Sequence, residues 1–145
     1  NLLMKRVLIG ILLLIGLGGC QSKLHSISTY QMWDELIDAK LAGDYSQSLM
    51  YDLREGTNCD EGHVSGFLCI FYGNNLTIFQ IQFNIEAIYS KNALILLMCE
   101  DGAISQELGD ALVAKGYRHV YYYAGGYDAY SHTKPNFIPE IGCNC

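Results

Sequence analysis

The chain has 145 residues, with nine Lys and Arg against fifteen Asp and Glu, and a net charge of −6. That length predicts one domain rather than two, because domains usually contain about 100–150 residues. The acidic balance excludes proteins that bind nucleic acid by neutralising its phosphates, so we expect no nucleic-acid partner. Six cysteines in so short a chain indicate an oxidising compartment, or else metal or redox chemistry.

The amino-terminal segment has the pattern of a secretion signal. Lys5 and Arg6 precede a run over 7–17 that contains only Val, Leu, Ile and Gly, and Gly18-Gly19-Cys20 follows. A cationic head, a short apolar run and small residues before a cleavage point are typical of a signal peptide. The run is shorter than the ~20 residues that span a bilayer.

The sequence over 17–20 resembles the bacterial lipoprotein box. The resemblance implies removal of residues 1–19 and acylation of Cys20, which would hold the protein at a membrane of the bacterial cell envelope, facing out of the cytoplasm. In a cell with two membranes that location is the periplasm. The alternatives are an uncleaved anchor or an ordinary signal peptide with an incidental Cys20. After removal of residues 1–19, seven bases would face fifteen acids, for a net charge of −8.

The rest of the chain predicts alternating helices and strands. Helical spacing of apolar residues indicates helices, and continuous apolar or β-branched runs indicate strands. In chain order we expect a helix from 28 or 29 to about 43, a strand over 48–53, a helix over 76–90, a strand over 93–98, a helix over 106–115, a strand over 119–123 and a last short helix from 127. This alternation predicts an α/β fold with a mainly parallel sheet.

Cys99 directly follows the clearest of these strands, the apolar run over 93–98. Ligands of parallel α/β sheets bind beyond the carboxyl ends of the strands. Backbone N–H groups of the loop over 99–105, with a helix N-terminus close behind, favour a thiolate at Cys99, which is the nucleophilic form. The alternative is a buried structural cysteine that ends a core strand.

Four motifs in order resemble those of the rhodanese family. Asp52-Leu53-Arg54 and Gly62-His63-Val64-Ser65-Gly66 resemble its Asp-x-Arg and Gly-His-Ile-x-Gly signatures. The strand, Cys99 loop and helix over 94–115, followed by Gly116-Tyr117 and then Gly125-Gly126, resemble the second half of the domain. The resemblance implies a three-layer α/β fold with a mainly parallel five-stranded sheet and helices on both faces.

The same resemblance divides the chain. It covers roughly residues 27–133, with a signal peptide over 1–19 and a lipid-anchored linker over 20–26 before the domain. A cysteine-containing tail over 134–145 follows the domain.

The family resemblance also implies a function, that of a single-domain sulfurtransferase of the thiosulfate sulfurtransferase type. Cys99 would take a sulfane sulfur from thiosulfate or a persulfide, hold it as a persulfide, and pass it to a thiol or cyanide. No cofactor is expected. Arg54 would pair with Asp52 or line the site, and Asp52 and His63 would be structural residues near it. The substrate-binding loop would comprise Glu100, Asp101, Gly102, Ala103, Ile104 and Ser105.

The loop departs from the family pattern in two respects. Ile104 stands where the family commonly has Arg, and Glu100 and Asp101 add two carboxylates. These differences disfavour an anionic donor such as thiosulfate. They also leave open a catalytically weak rhodanese-like module that binds a protein partner or acts in thiol redox chemistry.

Four cysteines remain after Cys20 and Cys99 are set aside: Cys59, Cys69, Cys143 and Cys145. In an oxidising compartment they would form two disulfides, in one of three connectivities. Pairing Cys59 with Cys69 would brace the Gly-His-Val loop, whereas Cys143 and Cys145 could instead reach back to it. A redox role for the terminal pair stays open. A metal site of Cys143, Cys145 and His132 is disfavoured because Cys-x-Cys lacks the usual zinc spacing, so no metal is expected.

Overall fold

A computed structural model describes residues 22–55, 57–70 and 76–142. In those residues five strands form one parallel sheet in the order β1-β5-β4-β2-β3. The strands are β1 His25–Ile27, β2 Ser48–Asp52, β3 Leu68–Cys69, β4 Leu94–Met98 and β5 His119–Tyr123. The helices are α1 Tyr30–Leu41, α2 Asn58–Glu61, α3 Ile78–Ile88, α4 Ala103–Ala114 and α5 Gly126–Thr133. The predicted α/β class and parallel sheet are confirmed.

Helices cover both faces of the sheet, as expected for three layers. On one face, α3 and α4 pack against the strands through Ile81, Ile85, Leu108 and Leu112. On the other face, Trp33 of α1 and Tyr130 of α5 join Phe67 in a second buried cluster. The middle strand β4 is therefore buried at all five positions, which explains its continuous apolar sequence.

Capping residues start two of the helices near their predicted positions. The Thr29 side chain accepts a hydrogen bond from the Met32 N–H at the start of α1. Thr77 and Gln80 form a reciprocal capping box at the start of α3. The predicted helix over 76–90 is therefore found as Ile78–Ile88.

The structure corrects the predicted start of the helix after Cys99. Helix α4 begins at Ala103, not at Gln106. Gly102 has φ +92° at the N-cap, a left-handed conformation that most residues avoid, and it lets the chain turn directly into the helix. Periodicity missed this start because the first turn of α4 encloses the sulfur of Cys99 instead of continuing the apolar stripe.

The structure shows backbone pairing on both sides of the predicted domain limits. His25 and Ser26, assigned to the linker, belong to β1 and pair with Tyr121 and Tyr122 of β5. In the tail, Glu140 forms an antiparallel bridge with His63. A three-residue edge strand and a single bridge are too short to produce a sequence period.

In the described parts of the chain, no helix has both the length and the apolar character needed to cross a membrane. The predicted signal segment, Cys20 and the carboxyl-terminal Cys143 and Cys145 lie outside the described residues.

Candidate active site

Cys99 lies at the carboxyl end of the central strand, with its thiol free and 2% of the residue exposed. The backbone N–H groups of Gly102 and Ser105 donate to its Sγ at 3.2 and 3.4 Å. Both donors lie at the N-terminal end of α4, where the unpaired N–H groups of a helix favour negative charge. The local structure therefore stabilises an anionic sulfur.

Two glycines allow the Cys99 loop to pack against the turn after β5. A Cβ at Gly102 would collide with the backbone carbonyl of Ala124, and a Cβ at Gly126 would collide with the carbonyl of Glu100. The Tyr127 N–H also donates to the Cys99 carbonyl at 2.7 Å. The Gly125-Gly126 turn therefore packs directly against the Cys99 loop and fixes its position.

Asp52 and Arg54 form a buried ion pair beside this loop. Arg54 Nη2 lies 2.8 Å from Asp52 Oδ2, and Nε donates to both carboxylate oxygens. Asp52 is fully buried and Arg54 is 5% exposed. Arg54 also donates to the Gly62 carbonyl, so this pair ties the end of β2 to the loop that follows α2.

Tyr127 covers the guanidinium of Arg54. The Arg54 Cζ lies 3.6 Å from the centroid of the Tyr127 ring, within the range of a cation–π contact. Burial raises the pKa of Tyr127, while the charge of Arg54 opposes that rise. The phenol is therefore neutral near pH 7. Tyr127 also lines a cavity beside Arg54.

The thiol of Cys99 faces a cavity of about 280 Å³, here called the Cys99 pocket. Its lining comprises Leu53, Arg54, Glu55, Asn58, Cys99, Glu100, Asp101 and Ile104. An adjoining cavity of about 330 Å³ shares Arg54, Asn58 and Glu100 with it and adds Glu61, Gly62 and Tyr127. Together they are large enough for a small molecule or for the end of an extended side chain.

The structure brings most of the predicted site residues together. Glu100 and Asp101 are exposed, Ala103 opens α4, and Ile104 is half-buried in the pocket wall. Ser105 is fully buried, and its Oγ has no hydrogen-bond partner among the described residues. Arg54 both pairs with Asp52 and lines the pocket, so it has both of the roles that the sequence left open.

His63 and the Cys59–Cys69 disulfide directly follow residues that line the cavities, Gly62 and Asn58. The two sulfurs are bonded, which matches one of the three predicted connectivities. The His63 ring is buried, with Nδ1 2.9 Å from the Cys59 carbonyl oxygen and 3.8 Å from Cys69 Sγ. Possible ligand atoms of these three residues lie within 4.8 Å of one another. Because the sulfurs are bonded to each other, they are not the thiolates that a zinc site needs.

His132 lies on α5 with its Nδ1 2.6 Å from the Asp128 carbonyl oxygen, on the exposed surface. The other two members of that disfavoured metal site, Cys143 and Cys145, are outside the described residues. The described tail does reach the disulfide-bonded loop, since the Gly142 N–H donates to the Asp60 carbonyl at 2.8 Å.

Sequence reasoning missed four polar residues that line the cavities: Glu55, Asn58, Glu61 and Tyr127. Asn58 and Glu61 belong to α2, a four-residue helix that has no detectable apolar period. For Tyr127 a signal existed, since it directly follows the Gly125-Gly126 turn.

These features define a class: an α/β domain that presents a cysteine at the end of its central parallel strand, inside a loop of backbone N–H donors. The Rhodanese-like domain pattern matches residues 25–133. The chain belongs to the rhodanese-like family.

Similar proteins agree with that assignment. The chain is 31% identical over 84 residues to a "Thiosulfate sulfurtransferase GlpE" from Tolumonas auensis, which covers 58% of this chain and 73% of that protein. A rhodanese-like domain protein from Staphylococcus aureus has a TM-score of 0.52 and 22% identity, with 81% of this chain and 97% of that chain covered. The Alr3790 protein from Anabaena sp. has a TM-score of 0.55 and 16% identity, with 74% and 88% covered. The two structures show a shared fold.

Proposed function

We propose that this protein is a sulfurtransferase that carries a sulfane sulfur on Cys99. The observation that carries this proposal is the pair of backbone N–H donors from Gly102 and Ser105 on Sγ, at the wall of an open pocket. Preorganised donors of this kind stabilise charge that develops during a reaction, at no cost in reorganisation. Membership of the rhodanese-like family and the similarity to a thiosulfate sulfurtransferase support the same chemistry.

The reaction takes two displacement steps. In the first, the Cys99 thiolate attacks the sulfane sulfur of a donor, a new S–S bond forms, and the bond between that sulfur and the donor breaks. The donor leaves with the bonding electron pair, as sulfite from thiosulfate or as a thiolate from a persulfide. In the second, a thiolate or cyanide attacks the terminal sulfur of the Cys99 persulfide, and the Cys99 thiolate is regenerated.

Mass spectrometry of the protein after incubation with thiosulfate or an alkyl persulfide tests this assignment. We expect a gain of one sulfur atom on the peptide that contains Cys99, and loss of the gain on addition of cyanide. Cys99→Ser should abolish both the gain and sulfur transfer. The double variant Cys59→Ser, Cys69→Ser is the matched control, because it removes the other described cysteines and keeps Cys99.

Two results would contradict the proposal. Full transfer by Cys99→Ser would place the nucleophile elsewhere. Negligible transfer by the wild type with every donor would favour the alternative, a module for partner binding or thiol redox chemistry.

The proposed location is the bacterial cell envelope, with Cys20 as a lipid anchor and the domain facing out of the cytoplasm. The cationic, apolar and small-residue pattern over 5–20 supports it. A disulfide between Cys59 and Cys69 suits an oxidising compartment. Metabolic labelling with a radioactive fatty acid should mark the wild type and not Cys20→Ser. Equal labelling of both would contradict the anchor.

A further inference from the structure

We infer that the Cys99 pocket selects sulfur donors without net negative charge and discriminates against anionic donors such as thiosulfate. This inference rests on the proposed function and specifies its donor class. It follows from the distribution of charge around the pocket, from the character of the loop side chains, and from the number of N–H donors on Sγ.

The cation of the pocket is already neutralised. Among the described residues that line the two cavities, Arg54 is the one with a positive charge. Its guanidinium makes a two-pronged contact with the fully buried Asp52, donates to the Gly62 carbonyl, and lies under the Tyr127 ring. Such pairing fixes the side chain in a structural role and cancels its charge toward a ligand.

Four carboxylates surround this neutral pair: Glu55, Glu61, Glu100 and Asp101. All four residues are exposed, and within the described part of the chain none forms an ion pair. The lining therefore presents a negative potential to an approaching donor. Charges that line a cleft act on the association of charged substrates, and the effect falls as ionic strength rises.

Ile104 supplies an apolar wall where a cation would be needed to offset these carboxylates. Its side chain lines the Cys99 pocket and also packs against the core formed by α3, α4 and the sheet. An anionic group held against Ile104 would lose water contacts and gain no charged partner in return. A neutral or apolar donor substituent would lose little there.

Two backbone N–H groups stabilise the single negative charge of the Cys99 thiolate. Gly102 and Ser105 each direct one N–H at the sulfur, and these are the described hydrogen bonds that it accepts. Attack on a dianion would bring further negative charge to the same point. Attack on a neutral persulfide, R–S–SH, keeps one charge throughout: the Cys99 thiolate gains the SH sulfur as Cys99–S–SH, and R–S⁻ leaves with the electron pair.

Three donors that share the same type of reacting S–S bond but differ in net charge test this selection. Thiosulfate is a dianion, methanethiosulfonate a monoanion, and 2-aminoethanethiosulfonate a zwitterion with no net charge. Each transfers its terminal sulfur to Cys99 and releases sulfite or a sulfinate. With cyanide as acceptor at low ionic strength, we expect kcat/KM to rise in that order, with a spread of about tenfold or more that shrinks when salt is added.

Substitutions in the full chain locate the cause. Ile104→Arg should raise kcat/KM for thiosulfate by about tenfold relative to Ile104→Gln, which makes the position polar without adding a charge. The double variant Glu100→Gln, Asp101→Asn should raise it as well. Glu35→Gln is the matched control, because it removes one exposed carboxylate on α1 that lines neither cavity.

The outcomes distinguish charge selection from sulfur transfer itself. Transfer with all three donors, but with thiosulfate equal to or better than the zwitterion at low salt, would overturn charge selection and leave the sulfurtransferase assignment intact. Equal gains from Ile104→Arg and Ile104→Gln would likewise overturn it. An absence of persulfide with every donor would overturn the proposed function and this inference together.

Discussion

The N–H of Gly102 donates to the Sγ of Cys99 at 3.2 Å, and Gly102 makes that contact at φ +92°. The same glycine lies so close to the backbone of Ala124 that a side chain at position 102 has no room. A hydrogen bond to the candidate nucleophile and close packing against the turn after β5 therefore depend on one residue without a side chain.

Replacing Gly102 with Ala should both destabilise the domain and impair the site. A left-handed φ and a collision with the Ala124 carbonyl each oppose the native backbone. We expect the free energy of unfolding to fall by about 2–4 kcal/mol, from strain and overpacking together. Sulfur loading on Cys99, measured by mass spectrometry at a temperature where the variant is folded, should fall with it.

Gly116→Ala is the matched control for that variant. Gly116 has φ +94°, but no atom lies within 4 Å of the Cβ that Ala would add. It should lose about 1–2 kcal/mol from backbone strain alone and load sulfur normally. Equal effects of the two substitutions on loading would show that close packing at Gly102 has no role in the site.

Replacing Asp52 with Asn should leave the Arg54 guanidinium buried without a counter-charge. Removing one partner of a buried ion pair typically costs about 3–5 kcal/mol, and we expect a loss near the lower limit because Arg54 borders the pocket. Urea denaturation measures it. Asp34→Asn is the comparison, because its pair with Lys134 is about one-third exposed and is expected to contribute under about 1 kcal/mol. A smaller loss for Asp52→Asn than for Asp34→Asn would contradict the structural role of the buried pair.

Reduction of the Cys59–Cys69 disulfide should lower stability. The bond closes a loop of ten residues in sequence separation, which corresponds to about 2–3 kcal/mol in the chain-entropy view. Addition of dithiothreitol should therefore lower the urea midpoint of the wild type. It should leave the midpoint of the Cys59→Ser, Cys69→Ser double variant unchanged. A wild-type midpoint insensitive to the reductant would contradict a solution disulfide.

Tyr130 should make the domain sensitive to alkaline pH. Burial, reinforced by its hydrogen bond to Asp34, raises the pKa of Tyr130 from 10.0 to about 12. Since the folded state holds this proton more tightly than the unfolded state, the stabilising contribution is complete below pH 10 and is lost as pH rises toward 12. The urea midpoint of the wild type should fall over that range. Tyr130→Phe should show a shallower fall, and an equal slope would contradict the assignment.

Sequence pattern predicted the main elements and the place of Cys99. The apolar run before Cys99 and the helical spacing after it are local properties, and they identify a central strand followed by a helix. The motifs around Asp52, Gly62 and Cys99 were sufficient to indicate the family, which the match over 25–133 confirms.

Tertiary structure decided what those residues contact. No local pattern could place Tyr127 over Arg54 or direct Arg54 to the Gly62 carbonyl, because these contacts join separate elements of the fold. No local pattern predicted α2 either, a helix of four residues that places Asn58 and Glu61 in the wall of the cavity adjoining the Cys99 pocket.

The sequence by itself therefore determined which elements form and which cysteine ends the central strand, because both depend on neighbours along the chain. Only the tertiary structure decided that Cys59 is bonded to Cys69, that the charge of Arg54 is neutralised, and that Ile104 faces the pocket among uncompensated carboxylates. Asp52 and Arg54 are only two residues apart, and Cys59 and Cys69 only ten, but whether their side chains meet depends on the path that the backbone takes when the sheet and helices pack.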